Sequence, residues 1–299
     1  MASTALIALT AGSERELVFP SDFKSAAAPL ERGWVGSIPI RFRHLALALV
    51  LASAAGCSAA ARIDDARLVD LTYPLGDKTI FWPTAQPFRL EVDHAGTTPA
   101  GYFYAANRFC TSEHGGTHLD APYHFAEHGQ KADEIPVSRF VGPACVVDVS
   151  ARAAANADYL ASVEDVKAWE KRHGRLPDGA IVLVRTGWGK RWGDRRAYLG
   201  DDTPGDASRL HFPGLGKDLA EFLARERKVD AVGIDTASID HGPSQDFIVH
   251  QTLFAANIPA FENLANLESL PEAGATMIAL PARIEAGSGG PLRAIAILP

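Results

Sequence analysis

The sequence is poor in cysteine, holding only Cys57, Cys110 and Cys145 in 299 residues, and no two of them have C-x-x-C spacing. That excludes a structural zinc module built on cysteine pairs. Cys110 and Cys145 would pair only after export; otherwise they are buried free thiols, which behave as small hydrophobes. Positive charge is also short, with 29 Lys and Arg against 36 Asp and Glu and a net charge of −7. A nucleic-acid surface needs clustered cations, so that class is excluded. No apolar run reaches the roughly 18 residues of a typical membrane-spanning helix, and no internal repeat of about 20–50 residues is visible. The glycine-rich stretch 285–291 lacks the Gly-Lys-Ser/Thr ending of a phosphate loop. Its glycines read as a connection needing positive φ, or as room for close approach of a substrate. With 47% hydrophobic and 22% charged residues, the composition is that of a globular protein.

The amino terminus stands apart. Arg41-Phe42-Arg43-His44 is followed by an apolar run of 12 residues, Leu45 to Gly56, and then by Cys57. A basic patch, a short apolar segment and small residues form a secretory leader, too short to cross a bilayer. The Ala-Ala-Gly-Cys ending resembles a bacterial lipoprotein cleavage site, at which Cys57 would carry a lipid anchor. Residues 1–57 are therefore expected to be an extension and leader, which places the protein in a bacterial envelope or periplasm. Without a working leader it would be cytoplasmic. Residues 58–299 are expected to form one domain.

What the chain does have is a dense group of polar side chains between Ser112 and Phe125. His114, His118, Asp120 and His124 fall within eleven residues. Imidazole nitrogens and a carboxylate are the donors that divalent zinc takes. Gly115-Gly116 and Pro122 rule out a regular helix. If Thr117 to Ala121 is extended, His118 and Asp120 point to one side, and the glycines let His114 bend round to the same point.

This stretch resembles the signature of the cyclase family of metal-dependent hydrolases, which includes bacterial kynurenine formamidases and isatin hydrolases. The pattern H-x-G-T-H-x-D-A-P-x-H is matched at every fixed position by His114, Gly116, Thr117, His118, Asp120, Ala121, Pro122 and His124. The resemblance spans about residues 67–299. It implies a swivelling β/β/α-type single domain with a central mixed sheet, forming dimers or tetramers. It also implies that a histidine and a glutamate twelve positions apart complete the metal site, as His250 and Glu262 would. His114, His118 and Asp120 would hold one ion, and Asp120, His250 and Glu262 a second, as Zn²⁺ or Mn²⁺, with His241 a runner-up ligand. His124 would be the general acid/base. Phe81-Trp82-Pro83 would supply substrate-binding residues Phe81 and Trp82, or else simply pack in the core. Tyr102-Phe103-Tyr104 is a further aromatic candidate. The expected reaction is hydrolysis of a small-molecule amide, either an aryl formamide such as N-formylkynurenine or a cyclic amide such as isatin. The alternative is a lipid-anchored, non-catalytic metal-binding protein.

The rest of the chain alternates strand and helix, which points to α/β. Strand-like runs lie at 67–73, 144–149, 180–185, 229–235, 276–281 and 292–298. Ser162 and Asp165 are spaced as a capping box for a helix running to Gly174. Further helices are expected at 215–227 and 249–257. The loop 186–192, with two tryptophans and two cations, either borders the site or packs at the surface. Residues 190–211 read as a surface excursion in which His211 is solvated.

Overall fold

The computed structural model describes residues 63–299. The leader and Cys57 lie outside the described residues.

After β1 (Leu68–Asp70) come a hairpin of β2 (Arg89–Thr97) and β3 (Phe103–Cys110), then the short β4 (His118–Asp120). β5 (Val141–Asp148) leads through α1 (Ser150–Ala155), β6 (Leu160–Ala161) and α2 (Val163–His173) to β7 (Ile181–Arg185). α3 (Arg195–Leu199), β8 (Gly214–Leu215) and α4 (Lys217–Glu226) precede β9 (Ala231–Ile234). α5 (Ile248–Ala255), β10 (Ala260–Glu262), β11 (Ala275–Pro281) and β12 (Gly289–Ile297) follow. None of the described helices is long and apolar enough to cross a membrane.

The expected mixed sheet is present, and it closes on itself. Strands β12, β11, β5, β7, β9, β10 and β4 are hydrogen-bonded in that order, and β4 pairs again with β12, making a seven-stranded barrel. β1 adds to the outside edge of β12. β5, β7, β9 and β10 run parallel, because helical crossovers connect them; the other barrel pairings are antiparallel.

Side-chain alternation explains why the parallel strands read as continuous apolar runs. Ala144, Val146, Ile181 and Leu183 join Leu119, Phe261, Met277 and Ala294 in one core. Their neighbours Cys145, Val147, Val182 and Val184 join Trp169, Leu219, Leu223 and Phe254 of the helices in another. Both faces of these strands are buried, so both must be apolar. Gly233 belongs to this packing: a Cβ there would meet Leu183 and Leu264 at 2.7 Å.

The helix expected from Ser162 has its capping box and stops at Gly174, whose φ is +89°. The next helix begins at Lys217 rather than 215, because Gly214–Leu215 pair with Leu160–Ala161. The segment 190–211 is more than a surface excursion. Tyr198, Leu199 and Leu210 are buried with Ile80, Trp188 and Phe212 in a third core. His211 is half exposed, but its Nδ1 lies 2.9 Å from Asp158. Cys110 and Cys145 are both free, and only Cys145 is buried, so the expectation of two buried thiols holds for one of them.

Candidate metal centre and substrate pocket

The register of two ladders places the polar cluster. In the antiparallel pairing of β10 with β4, Glu262 stands opposite His118 and Ala260 opposite Asp120. Directly opposed residues share a face, so His118, Asp120 and Glu262 converge, while Leu119 turns into the barrel. Thr117 fastens this corner: its hydroxyl donates to the Asn263 carbonyl at 2.7 Å and accepts from the Tyr73 amide at 3.0 Å. Gly116, at φ +61°, turns the preceding chain back, and His114 Nδ1 comes to 2.6 Å from Asp120 Oδ1.

The glycine-rich stretch 285–291 acts here too, though not through positive φ, which Gly287, Gly289 and Gly290 do not adopt. Gly289 pairs with Asp120. A Cβ on it would sit 2.3 Å from the Leu119 carbonyl and 2.7 Å from His114 Cε1. Ser288 Oγ lies 2.8 Å from His114 Nε2 and donates to Glu113 at 2.5 Å. The stretch thus packs against His114.

Asp120 lies at the centre. Its Oδ1 is 3.0 Å from His118 Nε2, and its Oδ2 is 3.1 Å from His250 Nε2. Glu262 reaches the same two nitrogens at 3.5 and 3.3 Å. His118 Nδ1 donates to the Gly116 carbonyl at 2.9 Å, which leaves the lone pair on Nε2. That nitrogen is buried without a hydrogen-bond partner. A buried imidazole nitrogen facing two carboxylates fits a cation there, a proton in the metal-free protein or a metal ion in its place.

The ionisation pattern follows from the same crowding. Burial lowers the His118 pKa, but Asp120 and Glu262 outweigh it and raise it to about 9. Burial likewise opposes a charged His250, whose hydrogen bonds to Asp120, Asp240 and Glu262 carry it well above the usual value. Asp120, against its own burial, is held well below the usual carboxylate range by His118 and His114. Glu262 is raised by burial and by Asp120.

Two groups of donors sharing Asp120 lie close enough to hold an ion: His114, Asp120 and His124, and His118, Asp120 and Glu262. All six expected metal and acid/base residues therefore meet, but their grouping differs from expectation. His124 stacks on His114 with ring centres 3.7 Å apart, beside the donors. Burial lowers its pKa to about 4. His250 is carried in by α5, and its Nδ1 is fixed 2.6 Å from Asp240 Oδ2.

The cluster forms one wall of a cavity of about 330 Å³. The other walls are mostly apolar, made by Phe81, Trp82, Ile80, Phe125 and Phe247, with Ser112, Ser238 and Asn263 adding polar groups. Phe81 is both core and wall, since it is 3% exposed and packs on Gly115, where a Cβ would meet its ring at 2.0–2.2 Å. Trp82 stands edge-on to Phe212 and near Phe247, with centroids 6.4 and 6.1 Å apart. Tyr102, Phe103 and Tyr104 do not reach the cavity; they are 50–71% exposed on the hairpin. The tryptophan loop packs elsewhere, with Trp188 beneath the Arg191 guanidinium and Trp192 stacked on Tyr73. His241 is absent from the cavity wall as well. Sequence reasoning missed Asp240, Phe125, Phe247 and Ser288. Phe247 has φ +51°, a backbone state unusual for a bulky residue, and no pattern in the sequence announces it.

Comparison with known proteins gives concordant matches. Residues 69–241 match the Cyclase family model. The chain is 34% identical over 255 residues to an isatin hydrolase of Roseibium aggregatum, covering 79% of this chain and 93% of that protein. It is 28% identical over 233 residues to a kynurenine formamidase of Bacillus cereus, covering 76% and 95%. Among solved structures, isatin hydrolase A from Ralstonia solanacearum superimposes with a TM-score of 0.71 at 35% identity, covering 89% of this chain and 100% of that one.

Proposed function

Since this chain belongs to the cyclase family, we propose that it is a metal-dependent hydrolase of a non-peptide C–N bond whose substrate is a compact, uncharged aromatic amide of the isatin type. The observation that carries the substrate reading is the cavity lining, which away from the ligand cluster is mainly aromatic and aliphatic, with Ser112, Ser238 and Asn263 as its polar members, and includes no Lys or Arg. N-formylkynurenine carries an amino-acid end, and burying its carboxylate without a cation is costly. Isatin is flat and neutral, and it suits walls made by Phe81, Trp82 and Phe247.

In this reading His114, His118, Asp120, His250 and Glu262 hold Zn²⁺ or Mn²⁺. When bound, such an ion would supply Lewis-acid chemistry, polarising an amide carbonyl and lowering the pKa of water towards neutrality. Asp120 spans the cluster with its two oxygens, and Asp240 orients His250 by accepting its Nδ1 proton. His124 is neutral at pH 7 because burial depresses its pKa to about 4. It therefore has a lone pair with which to take a proton from the attacking water. It returns that proton to the nitrogen as the C–N bond breaks. The apolar walls keep bulk water from the reacting centre.

The test is to purify the full chain without chelator and follow isatin and N-formylkynurenine side by side, with zinc, with manganese and after chelation. Chelator-sensitive turnover that favours isatin is expected. Faster cleavage of N-formylkynurenine would overturn the lining argument, and turnover indifferent to chelation would overturn the metal chemistry.

A further inference from the structure

We propose that Glu113 and Ser288 are positioning residues that together fix the tautomer of His114, so that this histidine offers Nδ1, and not Nε2, to the ion. That assignment rests on the metal-dependent reading of the site and names the binding atom within it.

The direction of each bond follows from the protons available. Glu113 Oε2 accepts twice from one residue, from the Ser288 amide at 3.0 Å and from the Ser288 hydroxyl at 2.5 Å. A carboxylate has no proton to give, so the single hydroxyl proton of Ser288 is committed to Glu113. Ser288 Oγ can then only accept from His114 Nε2, which lies 2.8 Å away. With a proton on Nε2, the neutral ring keeps its lone pair on Nδ1. Nδ1 is 2.6 Å from Asp120 Oδ1, and two electron-rich atoms so placed fit a cation held by both.

The other two histidine ligands are set the opposite way round. His118 Nδ1 faces the Gly116 carbonyl and His250 Nδ1 faces Asp240, which leaves Nε2 of each for the cluster. Ser288 is also fixed from both sides. Its amide is held by Glu113, and its carbonyl accepts the Ala121 amide at 2.9 Å. The orientation of the His114 ring matters twice, because His124 stacks on it with ring centres 3.7 Å apart and planes 16° apart. A ring free to turn would withdraw a ligand and shift the acid/base group that leans on it.

Nuclear magnetic resonance tests this on the full chain carrying nitrogen-labelled histidine and loaded with an NMR-active cadmium isotope, alongside chelator competition for zinc. In wild type, cadmium should couple to Nδ1 of one histidine and to Nε2 of others. Ser288→Ala and Glu113→Ala should lose the Nδ1 coupling and bind zinc about 10–100-fold more weakly. Glu113→Gln, whose amide oxygen can still accept both Ser288 bonds, should keep the coupling. A merely structural role would change unfolding midpoints without changing which nitrogen meets the metal. Bound cadmium with no Nδ1 coupling in wild type overturns the proposal and leaves the metal reading standing. So does an Nδ1 coupling that survives in both alanine variants. A wild-type chain that binds neither metal overturns the metal reading, and the proposal with it.

Discussion

Asp240→Asn should weaken metal binding by about 10–100-fold while leaving the helix it caps in place. The carboxylate holds α5 at three points. Oδ1 accepts the Val249 amide at 3.1 Å, and Oδ2 accepts both the His250 amide at 3.1 Å and His250 Nδ1 at 2.6 Å. Asparagine matches aspartate as a helix cap, but it offers one acceptor where two are needed. If its oxygen serves the backbone amides, its NH₂ faces His250 Nδ1–H, donor against donor. The imidazole then loses the bond that sets its tautomer and aims Nε2 at Asp120 and Glu262. Such outer partners are worth about 10–100-fold in metal affinity, or about 1.4–2.7 kcal/mol. Asp240→Ala should lose about 1 kcal/mol more of folding stability through the missing cap. Metal affinity is measured by competition with a chromophoric chelator, and stability by urea unfolding of the metal-free protein. Affinity of Asp240→Asn within twofold of wild type would refute the argument that this carboxylate positions His250.

Other outcomes follow from the same geometry. His124→Ala should reduce kcat by about 10²–10⁴ with metal content unchanged; if metal analysis of the variant shows loss of the ion, His124 is a ligand instead. In the metal-free protein, His118 has a folded pKa of about 9 against 6.5 unfolded. Its stabilising contribution is therefore complete below pH 6.5 and lost as pH rises through about 9. Thermal melts of metal-free His118→Gln should show a flatter decline than wild type across that window. Gly115→Ala places a Cβ at 2.0 Å from the Phe81 ring. It should raise KM for an aromatic amide as Phe81 is displaced, and cost about 1–3 kcal/mol in denaturant unfolding; an unchanged KM would show that Phe81 does not shape the pocket.

The site was readable in the sequence wherever local geometry governs it. His114 to His124 is contiguous, and once Thr117–Ala121 is extended and Gly116 turns the chain, three donors must meet. Glu262 and His250 were readable only through the resemblance and its twelve-residue spacing, because a lone acid or histidine far from the cluster is a weak signal by itself. Asp240 and Ser288 carried no such mark, because a carboxylate or hydroxyl in a loop is ordinary until the partner that it holds is known. Phe125 and Phe247 became pocket walls through tertiary packing, to which periodicity is blind. The alternation of strand and helix led correctly to α/β, but closure of the barrel was hidden. It depends on β4 pairing with both β10 and β12, and three residues are too short for any pattern to show. Segment 190–211 misled for the opposite reason: its composition is polar, yet Tyr198 and Leu210 anchor it in a core.

The double pairing of β4 also sets a timetable. The strand has no partner nearby in the chain; it waits for Ala260–Glu262 and then for Gly289–Pro291. On a ribosome adding about 5–20 residues per second, His118 and Asp120 are made early and remain unaligned until the last strand has emerged. Contacts so distant in sequence form slowly, so ion capture belongs to the end of maturation, after the helix-covered half of the barrel can already stand. A chain ended after Ser288 should accordingly retain much of its helical circular dichroism and bind no metal. Proteolytic trimming at the carboxyl terminus would then remove the activity without touching a single ligand.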